Sequence, residues 1–240
     1  YEFEKVCSKL SKTNTVYSID LLGCGRSDRP AFTYTNFLYV ELITNFIKHI
    51  IGEKTDVIAS GFSSSFVVMA CHNEKELFNK IMLVNPPSFT QLRHMPTRKD
   101  HLLKLALEVP IFGTLIYHMI VSRDNVSNLF IEKMYYNPFH VDSQMTDAYY
   151  EAAHKGGCYT KYLYSSLASK YMNININHAV KALDNSIYIV EGEAEPNAKS
   201  ITDEYCSCNP AIEISTLTGT KHLPHVENPE NFLEQVKIFF

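Results

Sequence analysis

Stretches typical of strands alternate with stretches typical of helices along the chain, and this alternation limits the folds open to it. "TVYSIDL" (15–21), "DVIAS" (56–60) and "KIMLVN" (80–85) are rich in β-branched and apolar residues. Between the first two, residues 35–51 carry apolar residues at helical spacing. Strands joined by helices pair in parallel, because each connection must cross over the sheet. The pattern therefore predicts an α/β fold with a mostly parallel sheet flanked by helices.

The strand pattern stops between residues 88 and 180, where segments typical of helices follow one another, among them "RKDHLLKLALEV". It resumes with "SIYIVEGE" (186–193) and "AIEISTL" (211–217). We therefore expect a core formed by residues 1–87 and 181–240, with residues 88–180 inserted as a helical cap. A chain of 240 residues with 45% hydrophobic residues can bury one sizeable core.

Composition argues against several classes of partner. The formal net charge is -4 and there is no long run of Lys and Arg, so a nucleic-acid partner is not expected. Apolar stretches such as "IFGTLIYHMIVS" end well before the roughly 20 residues that a membrane span requires, so no span is expected. The sequence says nothing about the oligomeric state.

The six cysteines are scattered through a chain too long to need disulfides, which favours a reducing, cytoplasmic location. Cys206 and Cys208 are close together but lack the spacing of a zinc site. The chain also contains no dinucleotide-binding, Walker or H-E-x-x-H motif, so we expect neither a metal nor a cofactor.

Three motifs in a fixed order cover nearly the whole chain: "DLLGCGRSDRP" (20–30), the stretch "ASGFSSS" (59–65), and "TKHLPHVENPENF" (220–232). They resemble the D-x-x-G-x-G-x-S loop, the nucleophile elbow and the G-H-x-x-x-x-E-x-P-x-x-F ending of the α/β-hydrolase-fold family, which includes esterases, C–C hydrolases, haloperoxidases and epoxide hydrolases. The resemblance implies the α/β-hydrolase fold and cofactor-independent chemistry on a small molecule bound beneath the cap.

The ending motif implies a catalytic base. His222 lies at the position of the family histidine that takes the proton of the nucleophile and later donates it to the leaving group. His225 is the competing histidine nearby, and Glu227 and Pro229 are expected to be structural. The family acid follows the penultimate strand and falls on Glu195.

Glu191 and Glu193 remain alternatives for the acid, because three carboxylates within five residues can also be a solvated strand end.

The elbow has two plausible registers. In the family turn, the residues two positions before and two positions after the nucleophile must be small, and these are called its flanking residues here. With Ser63 as the nucleophile, the flanking residues are Gly61 and Ser65. If position 61 is the nucleophile position instead, the flanks are equally small, but Gly61 has no side chain that could attack. Ser60 is the weakest candidate, since Ile58 and Phe62 would flank it. We favour Ser63.

In that register the backbone N–H of Ser64 is expected to be one donor of the oxyanion hole. The second donor of the family comes from a loop that should lie just upstream of residue 1, so the family's N-terminal strands are expected to be missing from this sequence.

These residues predict a hydrolase of small, largely apolar esters or related acyl substrates, which forms an acyl-enzyme at Ser63 with His222 as base and Glu195 as its partner. The alternative is a catalytically silent member of the fold that binds a small molecule or a partner protein in the same pocket.

Overall fold

The computed structural model describes residues 2–240. Its sheet consists of four parallel strands in the order β1-β2-β3-β4. The strands are β1 (Thr55–Ser60), β2 (Phe78–Val84), β3 (Ile187–Gly192) and β4 (Glu213–Leu217). The predicted α/β fold class is confirmed. Helices cover both faces of the sheet, and the helices that directly follow β1 and β3 lie on the same face.

Thirteen α-helices are formed by the described residues, with shorter 3₁₀ and π segments between some of them. They are α1 (Glu4–Leu10), α2 (Asn36–Phe46), α3 (Ser63–Asn73), α4 (Phe89–Arg93), α5 (Arg98–Glu108), α6 (Phe112–Ile120), α7 (Arg123–Leu129), α8 (Ser143–His154), α9 (Lys161–Ala168), α10 (Asn177–Ala182), α11 (Ala198–Cys208), α12 (Pro224–Glu227) and α13 (Pro229–Phe239).

The two faces of the sheet are buried by different helices. Ile81 and Leu83 of β2 pack in a cluster with α2, α3 and α10, whereas Met82 and Val84 pack with α1 and α13. Successive strand residues point to opposite faces, so a strand that is covered on both sides is apolar throughout. This explains the apolar runs at 81–84 in β2 and at 187–190 in β3.

The expected strand at 15–21 is wrong. Residues 15–20 form no regular secondary structure and most of them are exposed. Strand β1 pairs only with β2, so 15–21 has no paired neighbour among the described residues. Apolar, β-branched residues favour an extended backbone, but a strand also needs a partner for its N–H and C=O groups.

Residues 85–186, between β2 and β3, form helices and turns only. A cluster of apolar side chains ties this segment to the loop after β4, and consists of Phe130, Tyr135, Met145, Leu223 and Val226. The helical segment therefore packs directly beside the loop that carries His222.

Candidate functional site

All four strands are parallel, so their carboxyl ends lie along one edge of the sheet. The segment after β1 carries Gly61 and that after β2 carries Asn85, while Glu195 follows β3 and His222 follows β4. In open α/β sheets, ligands bind outside this edge. The candidate site is therefore the group of four loops at the carboxyl ends of the strands.

The turn between β1 and α3 is centred on Gly61. Its φ is +56°, a left-handed value that favours glycine, and its N–H donates to the carbonyl of Val84 at 2.8 Å. A Cβ placed on Gly61 would lie 3.7 Å from His222 Nε2, with no other atom among its near neighbours. Gly61 therefore holds the backbone position that faces the histidine, and contributes no side chain to it.

Ser63 does not occupy the strained turn, contrary to the favoured register. It is the first residue of α3, and it is absent from the positive-φ residues in the described part of the chain. Its hydroxyl donates to the carbonyl of Ser60 at 2.7 Å. Strand β1 ends at Ser60, too early for Ser63 to lie at the turn. The fold thus adopts the register in which position 61 faces the base.

The expected oxyanion donor is also misplaced. The N–H of Ser64 donates to the carbonyl of Gly61 at 3.1 Å, so it is already used inside the turn. In the register that the structure adopts, the residue after the elbow position is Phe62. Its N–H has no hydrogen-bond acceptor within residues 2–240. Phe62 therefore carries the backbone donor that is free to bind a developing negative charge.

His222 and Glu195 are brought together. His222 Nδ1 lies 3.1 Å from Glu195 Oε1, in a pair whose side chains are 30% and 18% exposed. The hydrogen bond to Glu195 raises the pKa of His222 above its usual value, although burial opposes the shift. With Nδ1 engaged by the carboxylate, Nε2 faces the space above Gly61. The arrangement has the geometry of a general base oriented by an acid.

The competing residues have other partners. Glu191 accepts a hydrogen bond from the Thr216 hydroxyl at 2.8 Å, and Glu193 accepts one from the N–H of Gly219 at 2.9 Å. His225 is fully buried, with its Nε2 2.9 Å from Glu2 Oε1. Its ring stacks on Phe3 with centroids 4.4 Å apart. His225 therefore packs the interior of the fold, and His222 faces the elbow.

Asn85 links three of the four loops. Its Nδ2 donates to the carbonyls of Lys221 and His222, both at 2.9 Å, and its Oδ1 accepts from the N–H of Gly192 at 3.1 Å. A Cβ on Gly192 would lie 1.9 Å from the carbonyl oxygen of Lys221, so only glycine permits this approach. No motif in the sequence indicates that Asn85 positions the histidine loop.

Glu227 holds the histidine loop against the helical segment. Its carboxylate accepts hydrogen bonds from the N–H of Lys221 and from the N–H of Tyr136, each at 2.7 Å. The N–H of His222 donates to the carbonyl of Met134 at 3.1 Å. These contacts give Glu227 a structural role, which is the kind of role that the ending motif implies.

Sequence analysis missed the contribution of Glu2. Its carboxylate accepts a hydrogen bond from the Tyr149 hydroxyl at 3.1 Å and also contacts His225. The bond from Tyr149 joins α8 to the N-terminal segment. Burial alone would raise the pKa of Glu2, but hydrogen bonds and the charge of His225 lower it on balance. The sequence around Glu2 does not reveal these contacts, because Tyr149 and His225 are distant from it along the chain.

In residues 2–240, no group of three or more His, Cys, Asp or Glu side chains could hold a metal ion. The same residues contain no single helix that is long and apolar enough to cross a membrane, although α5 and α6 pass that test as a pair bent by 97°.

A model of the alpha/beta hydrolase family matches residues 4–235. No curated protein sequence gives a match. Among solved structures, an epoxide hydrolase is similar with a TM-score of 0.78 and 15% identity, covering 100% of this chain and 86% of that chain.

A meta-cleavage product hydrolase from Pseudomonas fluorescens IP01 gives a TM-score of 0.76 at 18% identity, over 100% of this chain and 84% of that one. A thermophilic esterase from Thermogutta terrifontis gives 0.75 at 10% identity, over 99% and 83%. Similarity at these identities establishes the fold, while a reaction has to be argued from the site.

Proposed function

The chain belongs to the alpha/beta hydrolase family, and on that premise we propose that it hydrolyses small, largely apolar esters or related acyl compounds with a water molecule activated by His222. One observation carries the proposal. His222 Nε2 faces the side-chain-free Gly61 at 3.7 Å from the position of a Cβ, while Nδ1 is held by Glu195. The proposed base and its orienting acid are therefore both present. The space that a nucleophilic side chain would fill at position 61 is open to a water molecule.

The chemistry balances with water as the only co-reactant. Nε2 takes a proton from the water as its oxygen attacks the acyl carbonyl, and Glu195 stabilises the imidazolium that forms. The free N–H of Phe62 supports the oxyanion. His222 then returns the proton to the leaving alkoxide, which gives a carboxylic acid and an alcohol. A site without its covalent nucleophile still keeps roughly 10³–10⁴-fold catalysis over water in serine proteases.

The covalent mechanism at Ser63 is the alternative within the same reaction. It requires the Ser63 hydroxyl to leave the carbonyl of Ser60 and to reach His222 from the first turn of α3. Ser63 lies two residues after Gly61, so its hydroxyl is close to the turn but not at it. We favour direct attack by water because it needs no rearrangement of α3.

A second candidate function is binding without turnover. The absence of a nucleophilic side chain at Gly61 favours it, since a site that has lost its chemistry can still bind a small molecule or a partner protein. In that case the Glu195–His222 pair would be retained for polar recognition alone.

Hydrolysis of p-nitrophenyl acetate by three proteins separates these possibilities. His222→Ala is expected to lower kcat/KM by about 10²–10⁴-fold, the usual contribution of a general base. Ser63→Ala is expected to stay within about threefold of the parent, because the attacking group is water. A loss of about 10³-fold in Ser63→Ala would instead identify an acyl-enzyme. Equal rates for the parent and His222→Ala would favour the silent binding protein.

A further inference from the structure

Helix α5 presents an apolar stripe to solvent. Leu102 is 65% exposed, Leu105 50% and Val109 45%. With Arg98, these residues have the spacing i, i+4, i+7 and i+11, so they lie along one face of the helix. The opposite face is buried through Lys104 and Leu107. The face of α5 that contains Lys104 therefore packs against the rest of the protein, and the face that contains Leu102 and Leu105 is exposed to solvent.

Helix α6, which follows at a bend of 97°, also exposes an apolar face. Phe112 is 61% exposed, Leu115 58% and Met119 64%, at the spacing i, i+3 and i+7. The opposite side carries Gly113 and Tyr117, which are buried. An open groove of about 590 Å³ runs beside α6 and is lined in part by Leu115. We call the exposed faces of α5 and α6, with the connecting residues 109–111, the α5–α6 surface.

Ile111 lies at the corner between the two helices. Its φ and ψ are 64° and -64°, and the N–H of Phe112 donates to the carbonyl of Pro110 at 2.7 Å. This is the positive-φ form of the γ-turn, which is rare and strained, and a β-branched residue seldom adopts it. The Ile111 side chain is 86% exposed. The fold thus places backbone strain at the point where it presents an apolar side chain to solvent.

The charges beside the α5–α6 surface are positive, although the chain as a whole has a net charge of -4. Arg93, Arg98 and Lys99 are exposed, and in the described part of the chain no carboxylate lies within 4.0 Å of their charged groups. The two acidic residues of the same segment are neutralised: Asp100 pairs with Lys170 at 2.9 Å, and Glu108 with Lys104 at 2.6 Å. The three free cations therefore set the charge at the N-terminal end of α5.

We propose that the α5–α6 surface docks on an anionic lipid bilayer, with Ile111 and Phe112 in the apolar layer and Arg93, Arg98 and Lys99 at the headgroups. Exposed apolar faces flanked by basic residues bind in the interface of such bilayers. A symmetric pair of copies fits the surface less well, because it would bring the same unpaired cations of both chains to one interface. The inference does not depend on the proposed hydrolysis.

Cosedimentation of the whole chain with vesicles tests the proposal. Phosphatidylcholine vesicles that contain phosphatidylglycerol are expected to bind the protein, and added salt is expected to weaken binding. Phe112→Ser should weaken it by about 10-fold or more, because one aromatic side chain no longer enters the bilayer. Phe37→Ser is the matched control, since Phe37 is 74% exposed on α2, in the sheet-flanking part of the fold. It is expected to bind as the parent does.

The double variant Arg98→Glu/Lys99→Glu isolates the charge. It should lose about 10-fold or more on vesicles with phosphatidylglycerol and change little on phosphatidylcholine alone. Lys5→Glu/Lys237→Glu, two exposed lysines on α1 and α13, should have little effect. Failure of the parent to bind either vesicle would overturn the proposal. So would equal losses for Phe112→Ser and Phe37→Ser, or sedimentation of a dimer that Phe112→Ser dissociates.

Discussion

The elbow and the histidine loop are the two halves of the candidate site, and they differ in the side chains that they present. In the histidine loop, His222 bonds to Glu195 at 3.1 Å, and Asn85 and Glu227 support the backbone around it. At the elbow, Gly61 holds the left-handed turn but has no side chain that could act as a nucleophile. The proposed attack by water accounts for this difference, because it requires a base but no serine beside it.

The largest expected effect comes from Gly61→Ser, which returns a hydroxyl to the elbow. A Cβ at this position has room, with His222 Nε2 at 3.7 Å, so the hydroxyl would lie beside the base. Labelling by a fluorophosphonate, expected to be absent in the parent, should become stoichiometric. Left-handed backbone at a serine should destabilise the fold by about 1–2 kcal/mol.

Gly52→Ser is the matched control for this change. Gly52 has a φ of +74°, and a Cβ placed on it would meet no atom within 4 Å, so the serine carries the same backbone strain far from the site. It should remain unlabelled. Labelling of the parent protein at Ser63 would remove the difference between the two halves of the site.

The next effect concerns Glu195→Gln. The hydrogen bond of Glu195 raises the pKa of His222, so replacing the carboxylate should lower that pKa. Only neutral His222 accepts a proton, and the acid limb of the rate profile should therefore move to lower pH. The maximal rate should fall by about 10²-fold or more, because the imidazolium loses its partner. Glu193→Gln is the control, since Glu193 bonds Gly219 instead.

The same pair predicts the sign of a stability change. Because folding raises the pKa of His222, protonated His222 favours the folded state. The stabilisation is fully present below pH about 6.5, the unfolded value, and is lost as pH rises through the folded pKa. Unfolding of the parent and Glu195→Gln should therefore differ most at acidic pH. An NMR titration of His222 that shows no shift in the variant would contradict this coupling.

A smaller effect is expected for Glu227→Ala, which tests whether the histidine loop is held from the helical segment. Its carboxylate serves two backbone N–H groups, of Lys221 and Tyr136, and both would lose their partner. We expect a loss of about 1–3 kcal/mol in the free energy of unfolding by urea. Glu230→Ala, in the exposed first turn of α13, should cost under about 0.5 kcal/mol. Equal losses would show that Glu227 does not fix the loop.

Much of the fold could be predicted from the sequence because burial on both sheet faces leaves apolar runs at β2 and β3. The segment 15–21 has a similar composition but forms no strand, since pairing depends on a neighbour that local composition does not reveal. The motifs predicted the positions of His222 and Glu195 after β4 and β3, and in the structure the two side chains form a pair.

The elbow register could not be found in the same way. Gly61 and Ser63 both have small residues two positions before and two positions after them, so residue size alone does not separate the two registers. The end of β1 at Ser60 places Gly61 at the turn. The two registers differ by two residues, and the residue that faces His222 is a serine in one and a glycine in the other. Contacts across the fold, such as that of Glu2 with Tyr149, also leave no local pattern.

The smallest expected effect is on stability in Ser63→Ala. The hydroxyl makes one hydrogen bond, to the carbonyl of Ser60 at 2.7 Å, at the partly exposed start of α3. Its removal should cost about 0.5–1.5 kcal/mol in urea unfolding, the net value of one neutral bond. Ser65→Ala removes an equivalent bond to Phe62 at 2.7 Å from a buried position, so it should cost at least as much. A stabilised Ser63→Ala would instead indicate a hydroxyl held in place against its local preference, as a nucleophile often is, and would move the chemistry from water back to the elbow.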